Sequence, residues 1–196
     1  MATLKEQKAR KDYKCSNCNN PIEKGDNYYS FSNSRFSPLK PRCLNCRPKQ
    51  SEMTQSDFLS RVYSIQESIE NLATDSDFES EIESFKGELE ELQSECEDKQ
   101  SNMPDNLQSS PVGQMLENRA SSIGEMIDEL DSIELTLDEE EIESDVKGDM
   151  ETDLNKKFEN FTKDEKTKFE ERVEEEINEK KDEILGEIQN VSYNGE

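Results

Sequence analysis

Four cysteines in two Cys-x-x-Cys pairs, Cys15-Ser16-Asn17-Cys18 and Cys43-Leu44-Asn45-Cys46, constrain this chain more than any other feature. Each pair can offer two sulfurs to one ion, and four thiolates complete the tetrahedral shell that structural zinc prefers. The spacing therefore predicts one structural Zn2+ held by Cys15, Cys18, Cys43 and Cys46. A disulfide pair, a redox Cys-x-x-Cys and an iron site of the same geometry remain open as competing readings. The chain contains no histidine, so no mixed Cys/His site can form. A closed shell of four cysteines leaves no position for an activated water, which argues against zinc catalysis.

The rest of the composition limits how large a core can surround such a site. Only 30% of the 196 residues are hydrophobic, 37% are charged, and tryptophan is absent. A segment of this make-up with few apolar groups needs the metal in order to fold. The formal net charge of −24 is unevenly divided. Residues 1–49 carry eleven Lys or Arg against four acids, a net of +7, so the remainder carries −31. That asymmetry suggests a basic contact module joined to an acidic body.

What rescues the acidic part from the composition of a disordered chain is periodicity. Phe58, Val62, Ile65, Ile69 and Leu72 recur at steps of 4 and 3, as do Phe78, Ile82, Phe85, Leu89, Leu92 and Cys96. Leu116, Ala120, Ile123, Ile127 and Leu130 form a third seam. The first of these helices is expected to start near Thr54, with Asp57 completing a capping-box-like pattern. Asn102-Met103-Pro104-Asp105-Asn106 reads as a turn, and Ser110-Pro111 as a cap followed by proline at the first helical position. Two helices joined this compactly predict an antiparallel hairpin, with the Thr54 helix alongside. Cys96 lies on a seam and reads as a buried, inert thiol.

Acidic residues dilute the apolar signal between 137 and 153, which reads as a linker or weak helix. Leu154, Phe158 and Phe161 suggest a short helix. Thr162 to Glu165 forms a capping box that opens a helix of ~25 residues along Phe169, Val173, Ile177, Ile184, Ile188 and Val191. Its narrow stripe has no evident partner within the chain, which leaves association between copies through the helical seams open.

The expected fold is thus mainly α: a small zinc-ribbon-like N-terminal module, an antiparallel helical hairpin or bundle, and a long acidic helical tail. The expected boundaries are a flexible basic arm at 1–14, the module at 15–50, the antiparallel helices at 51–136, an acidic linker at 137–153 and the C-terminal helix at 154–196. Asn27-Tyr28-Tyr29-Ser30-Phe31 is the best strand candidate, and only one of its two tyrosines can face a core. The opening residues show no signal-peptide run, and nothing approaches the ~20 apolar residues of a membrane span, so a cytoplasmic location without a membrane partner is expected.

Function is less directly written. Aromatic residues alternate with Lys and Arg around the knuckles, a mixture that can stack on bases and track phosphates, or form the small core of a metal module. The candidate contact residues are Lys8, Arg10, Lys11, Lys14, Tyr29, Arg35, Lys40, Arg42 and Arg47. Without histidine there is no imidazole base, and no phosphate-binding glycine loop is present, so no catalytic residue is assigned. These features predict a non-enzymatic adaptor that contacts protein or nucleic acid through its basic module. The alternative is that the acidic helices imitate a nucleic acid and occupy a basic protein of a host, instead of serving as a solvated face.

The run Cys15, Cys18, Ile22, Gly25 and Tyr28 resembles short zinc-ribbon-like and PARP-type zinc-finger modules. PARP-type fingers include a histidine ligand that this chain lacks, so recognition of DNA breaks is not implied. Residues 8 to about 135, including Lys8 to Tyr13, Ser51 to Ser56 and Asn102 to Gln108, resemble a group of uncharacterised phage and prokaryotic zinc-ribbon proteins. This resemblance implies a phage or microbial origin and an arrangement of modules, but no activity.

Overall fold

A computed structural model of the chain describes residues 3–32, 34 and 36–195. The molecule divides into two compact units, residues 1–70 and 71–196. It is mainly helical, with a small sheet confined to the first unit.

In the first unit, strands β1 (Thr3–Lys8), β4 (Asn27–Ser32) and β5 (Lys40–Arg42) form an antiparallel sheet in the order β1-β4-β5. Two short strands, β2 (Tyr13–Lys14) and β3 (Pro21–Ile22), pair as a separate hairpin. The basic segment expected to be a flexible arm is therefore ordered over β1, where Leu4 pairs with Phe31 and Gln7 with Tyr28. It lacks apolar alternation because it is an edge strand, held by backbone hydrogen bonds along the ladder with few buried side chains. Ala9, just beyond its end, is buried and exchanges backbone bonds with the turn at Gly25 and Asp26. Gly25 has φ of +103°, a conformation that suits glycine.

Alternation along β4 separates its side chains. Tyr28 and Ser30 are buried on one face, while Tyr29 and Phe31 lie on the other. Tyr28 is the core tyrosine of the pair, and Tyr29 stays half-exposed.

Two helices complete this unit, α1 (Gln50–Met53) and α2 (Asp57–Glu70). The helix expected from Thr54 instead starts at Asp57, with the Ser56 hydroxyl accepting the Leu59 N–H at 3.3 Å. Thr54 closes α1, and its hydroxyl accepts from the Ser56 N–H at 3.2 Å. The Glu67 carboxylate fastens α2 to α1 by accepting from both the N–H and hydroxyl of Ser51. Consequently α2 groups with the cysteine module and not with the helices that follow it.

The second unit contains α3 (Phe78–Ser101), α4 (Asp105–Gln108), α5 (Pro111–Asp131), α6 (Glu139–Asp153) and α7 (Lys163–Asn190). Asp77 caps α3 by accepting the Ser80 N–H, and Ser110 caps α5 by accepting the Gly113 N–H. Helices α3 and α5 pack as the expected antiparallel hairpin. Lys86 near the start of α3 reaches Asp131 at the end of α5 at 2.6 Å, and Gln100 near the end of α3 reaches Glu117. Between them Ile82, Phe85, Leu89, Leu92 and Cys96 are buried, as are Leu116, Ala120, Ile123, Ile127 and Leu130. A Cβ on Gly113 would lie 1.8 Å from the Gln108 carbonyl oxygen, so the α4–α5 turn closes only around glycine.

The acidic stretch expected as a linker is a full helix. Ile142, Val146 and Met150 recur every fourth residue along α6 and pack with Phe161 and Phe169, so the last helix does find a partner within the chain. The charges that diluted the hydropathy, Glu139, Glu140 and Glu141, sit in the first turn, where carboxylates favour helix formation. The short helix expected around Phe158 is a single 3-10 turn, Phe158–Asn160. Thr162 and Glu165 form the expected capping box, and α7 runs for 28 residues. Near the far end of α7, Asp182 accepts from the Thr74 hydroxyl at 2.8 Å and Gln189 donates to the Leu72 carbonyl at 3.3 Å. Ile188 is fully buried there. Among the described residues no helix is long and apolar enough to cross a membrane.

Candidate metal centre

The first unit brings its four paired cysteines to one place. Cys15 and Cys18 follow strand β2, and Cys43 and Cys46 follow β5. Backbone hydrogen bonds shape both turns: Asn19 donates to the Cys15 carbonyl at 3.0 Å and Cys46 to the Cys43 carbonyl at 2.9 Å. Asn19 takes a left-handed φ of 59°, which asparagine tolerates better than most residues. The Ser16 N–H donates to the Pro41 carbonyl at 2.8 Å, tying the first turn to β5 and hence to the second.

The four Sγ atoms lie within 4.8 Å of one another, and those of Cys18 and Cys43 are 3.6 Å apart. A tetrahedral ion with Zn–S bonds of ~2.3 Å needs sulfurs ~3.8 Å apart, so the arrangement fits a closed metal shell. It does not fit a disulfide, whose sulfurs must approach to ~2.05 Å, and all four cysteines are free. Asn17 donates its side-chain amide to the Cys46 sulfur at 3.5 Å, the type of contact that supports a thiolate ligand.

Electrostatics of the four sulfurs point the same way. Burial raises the Cys15 thiol, but backbone N–H groups of Cys18, Cys43 and Asn17 directed at its sulfur outweigh this and hold it at about 6. Burial first, and then the adjacent sulfurs of Cys46, Cys18 and Cys15, push Cys43 up to about 12. Four thiolates cannot share this space without a compensating cation. A divalent ion would supply that charge and displace the remaining protons.

The centre is also part of the core. Cys15 is fully buried and clusters with Ala9, Ile22 and Tyr28, with Tyr13, Cys43 and Cys46 against them. So small an apolar cluster contributes little alone, and an ion held by the four sulfurs would crosslink the two turns that carry them.

The predicted contact residues fall in several places. Lys8, Arg10 and Lys11 line one cleft of about 460 Å³, together with Tyr13 and Tyr28. Lys14 and Arg47 are exposed but do not line it. Tyr29 and Lys40 belong to the opposite side of the sheet, where the Lys40 ammonium is 5.8 Å from the Phe31 ring centre. Arg42 is not a surface contact: it is buried, stacks 5.3 Å from the Phe31 ring centre and forms an ion pair with Glu52. Its guanidinium joins β5 to α1. Arg35 lies outside the described residues.

Sequence reasoning missed two supporting residues. Glu52 anchors Arg42 from ten positions downstream, and no local pattern signals that pairing. Asn17 had a signal, because Asn precedes the second cysteine in both knuckles. Cys96 is buried on α3, and burial raises its thiol, as expected for an inert cysteine.

No family model matches the chain, and no curated protein and no solved structure matches it.

Proposed function

We propose that this chain is a non-enzymatic interaction protein in which Zn2+ bound by Cys15, Cys18, Cys43 and Cys46 folds a basic contact module carried on an acidic helical body. The observation that carries this reading is the cluster of four sulfurs within 4.8 Å, built into a small apolar cluster with Ala9, Ile22 and Tyr28. The four cysteines would bind zinc as a structural ion, since every position of a tetrahedral shell is taken by thiolate and none is left for substrate. Unit one has twelve Lys or Arg against eight acids, and three of those cations converge on a cleft beside the metal. That combination suits an anionic partner, either a protein or a nucleic acid. The resemblance of residues 8 to about 135 to phage and prokaryotic zinc-ribbon proteins supports a phage or microbial origin, with action in the host cytoplasm.

A second reading assigns the work to the acidic unit, whose forty Asp and Glu against twelve Lys and Arg give a net of −28. Helices of that charge can occupy the nucleic-acid-binding face of a basic host protein.

Pull-downs from host lysate with wild type and a Cys15→Ser/Cys18→Ser variant separate the two readings. Partners lost with the metal belong to the zinc module, as we propose. Partners retained by the variant belong to the acidic helices, and retention of every partner would overturn the first reading.

A further inference from the structure

The cleft next to the metal centre differs in character from the other surfaces of the chain. One wall is the stacked pair Tyr13 and Tyr28, with ring centres 5.2 Å apart and planes inclined by 29°. Its rim carries Lys8, Arg10 and Lys11, and among the described residues no carboxylate lines it. Two nearby acids are turned to other tasks. Asp12 accepts the Lys24 N–H at 2.9 Å, and Asp26 accepts the Glu23 N–H at 2.9 Å. The tyrosine wall is fixed: Gln7 donates to the Tyr28 hydroxyl at 2.8 Å, and both rings pack against the cysteine cluster. Cations on flexible stems thus surround a rigid, flat wall.

We propose that this cleft binds single-stranded nucleic acid, seating one base against the Tyr13 side of the wall while Lys8, Arg10 and Lys11 meet the flanking phosphates. This rests on the reading of the zinc module as the contact surface, and names the partner. Three features favour a single strand. The site is concave, and about 460 Å³ suits one small planar ligand, whereas a duplex is read by a helix or ribbon entering a groove. Among the described residues the one long helix of this unit, α2, instead buries Val62, Ile65 and Ile69. Lys11 already holds its ammonium 5.6 Å from the Tyr13 ring centre, so cation and ring act at one point, as stacking on an unpaired base beside a phosphate requires. Leu39, 60% exposed on the rim, adds apolar surface that an unpaired base can cover.

The test is fluorescence anisotropy of the full-length, zinc-loaded protein with a short labelled oligothymidylate, and with a labelled duplex of the same length. Wild type is expected to prefer the single strand, with affinity falling as salt rises. Lys8→Glu/Lys11→Glu changes exposed side chains only and should weaken binding about tenfold or more while keeping the wild-type zinc content. Tyr13→Leu should lose affinity by about tenfold, and Tyr13→Phe, which keeps the ring, should retain it. Equal binding of duplex and single strand, an unchanged Lys8→Glu/Lys11→Glu variant, or no binding to any oligonucleotide would overturn the inference. A zinc-loaded protein that ignores oligonucleotides yet captures a host protein, and loses it in Cys15→Ser/Cys18→Ser, would defeat this inference and leave the adaptor reading standing.

Discussion

Cys15 and Cys18 are both assigned to the metal, but they differ in what else they do. Cys15 is fully buried against Ile22 and Tyr28, while Cys18 is exposed. Replacing either with serine should abolish zinc binding, but Cys15→Ser should also disturb the small core and leave the unit less soluble. Metal analysis together with the amide spectrum of residues 3–70 checks this. Protons should compete with the metal for the same sulfurs. Burial and neighbouring sulfurs push Cys43 up to about 12, so the thiol is protonated at neutral pH until the ion arrives. Binding must then release protons, and affinity must rise with pH and fall on acidification. Calorimetric titration of the metal in buffers of different ionisation enthalpy should show this release, and a buffer-independent enthalpy would contradict it. The ligands were legible because a Cys-x-x-Cys spacing carries its geometry locally. The burial of Arg42 was not, because it depends on Phe31 across the sheet and on Glu52 in a helix not yet formed when β5 is read.

Elements differ in the same way. The α5 cap was readable from Ser110-Pro111, and the α3–α5 seam from its steps of 4 and 3, since both signals lie within one element. Helix α6 was obscured because its three apolar residues stand among acids that lower the mean hydropathy without opposing helix formation. Substituting Leu89, fully buried between α3 and α5, with alanine should cost ~2–5 kcal/mol in denaturant unfolding. Gly113→Ala should also destabilise the hairpin, by ~1–3 kcal/mol, because its Cβ meets a backbone oxygen that cannot move aside as a side chain would. At the α6–α7 junction, Lys156 beside Glu165, with the Thr162 backbone and hydroxyl, holds the Glu165 carboxyl down at about 2. Stability from this ionised carboxylate is present above its ordinary value of 4.5 and is lost as pH falls towards about 2. Glu165→Gln should therefore lower the melting temperature at neutral pH, and the gap from wild type should close on acidification. A gap that persists at pH 2 would assign the effect to packing.

Over the whole molecule, two units of opposite charge sign fold for different reasons. The first, with a net of +4, has a small core around its cysteines beside the buried Phe31 and the α2 residues Val62, Ile65 and Ile69, and the second, at −28, buries long apolar seams in helical pairs. Removing the metal with a chelator should unfold the first unit and leave most of the helical circular dichroism intact, because α3, α5, α6 and α7 contain no metal ligand. Loss of the whole helical signal would contradict that independence. The seams that left self-association open are occupied within the chain, so sedimentation should report a monomer. X-ray absorption at the zinc edge of the purified full-length protein reads the metal shell itself. One zinc per chain is expected, with four sulfur scatterers at ~2.3 Å and no light-atom neighbour. A folded protein without zinc, or a zinc shell containing oxygen or nitrogen, would contradict it.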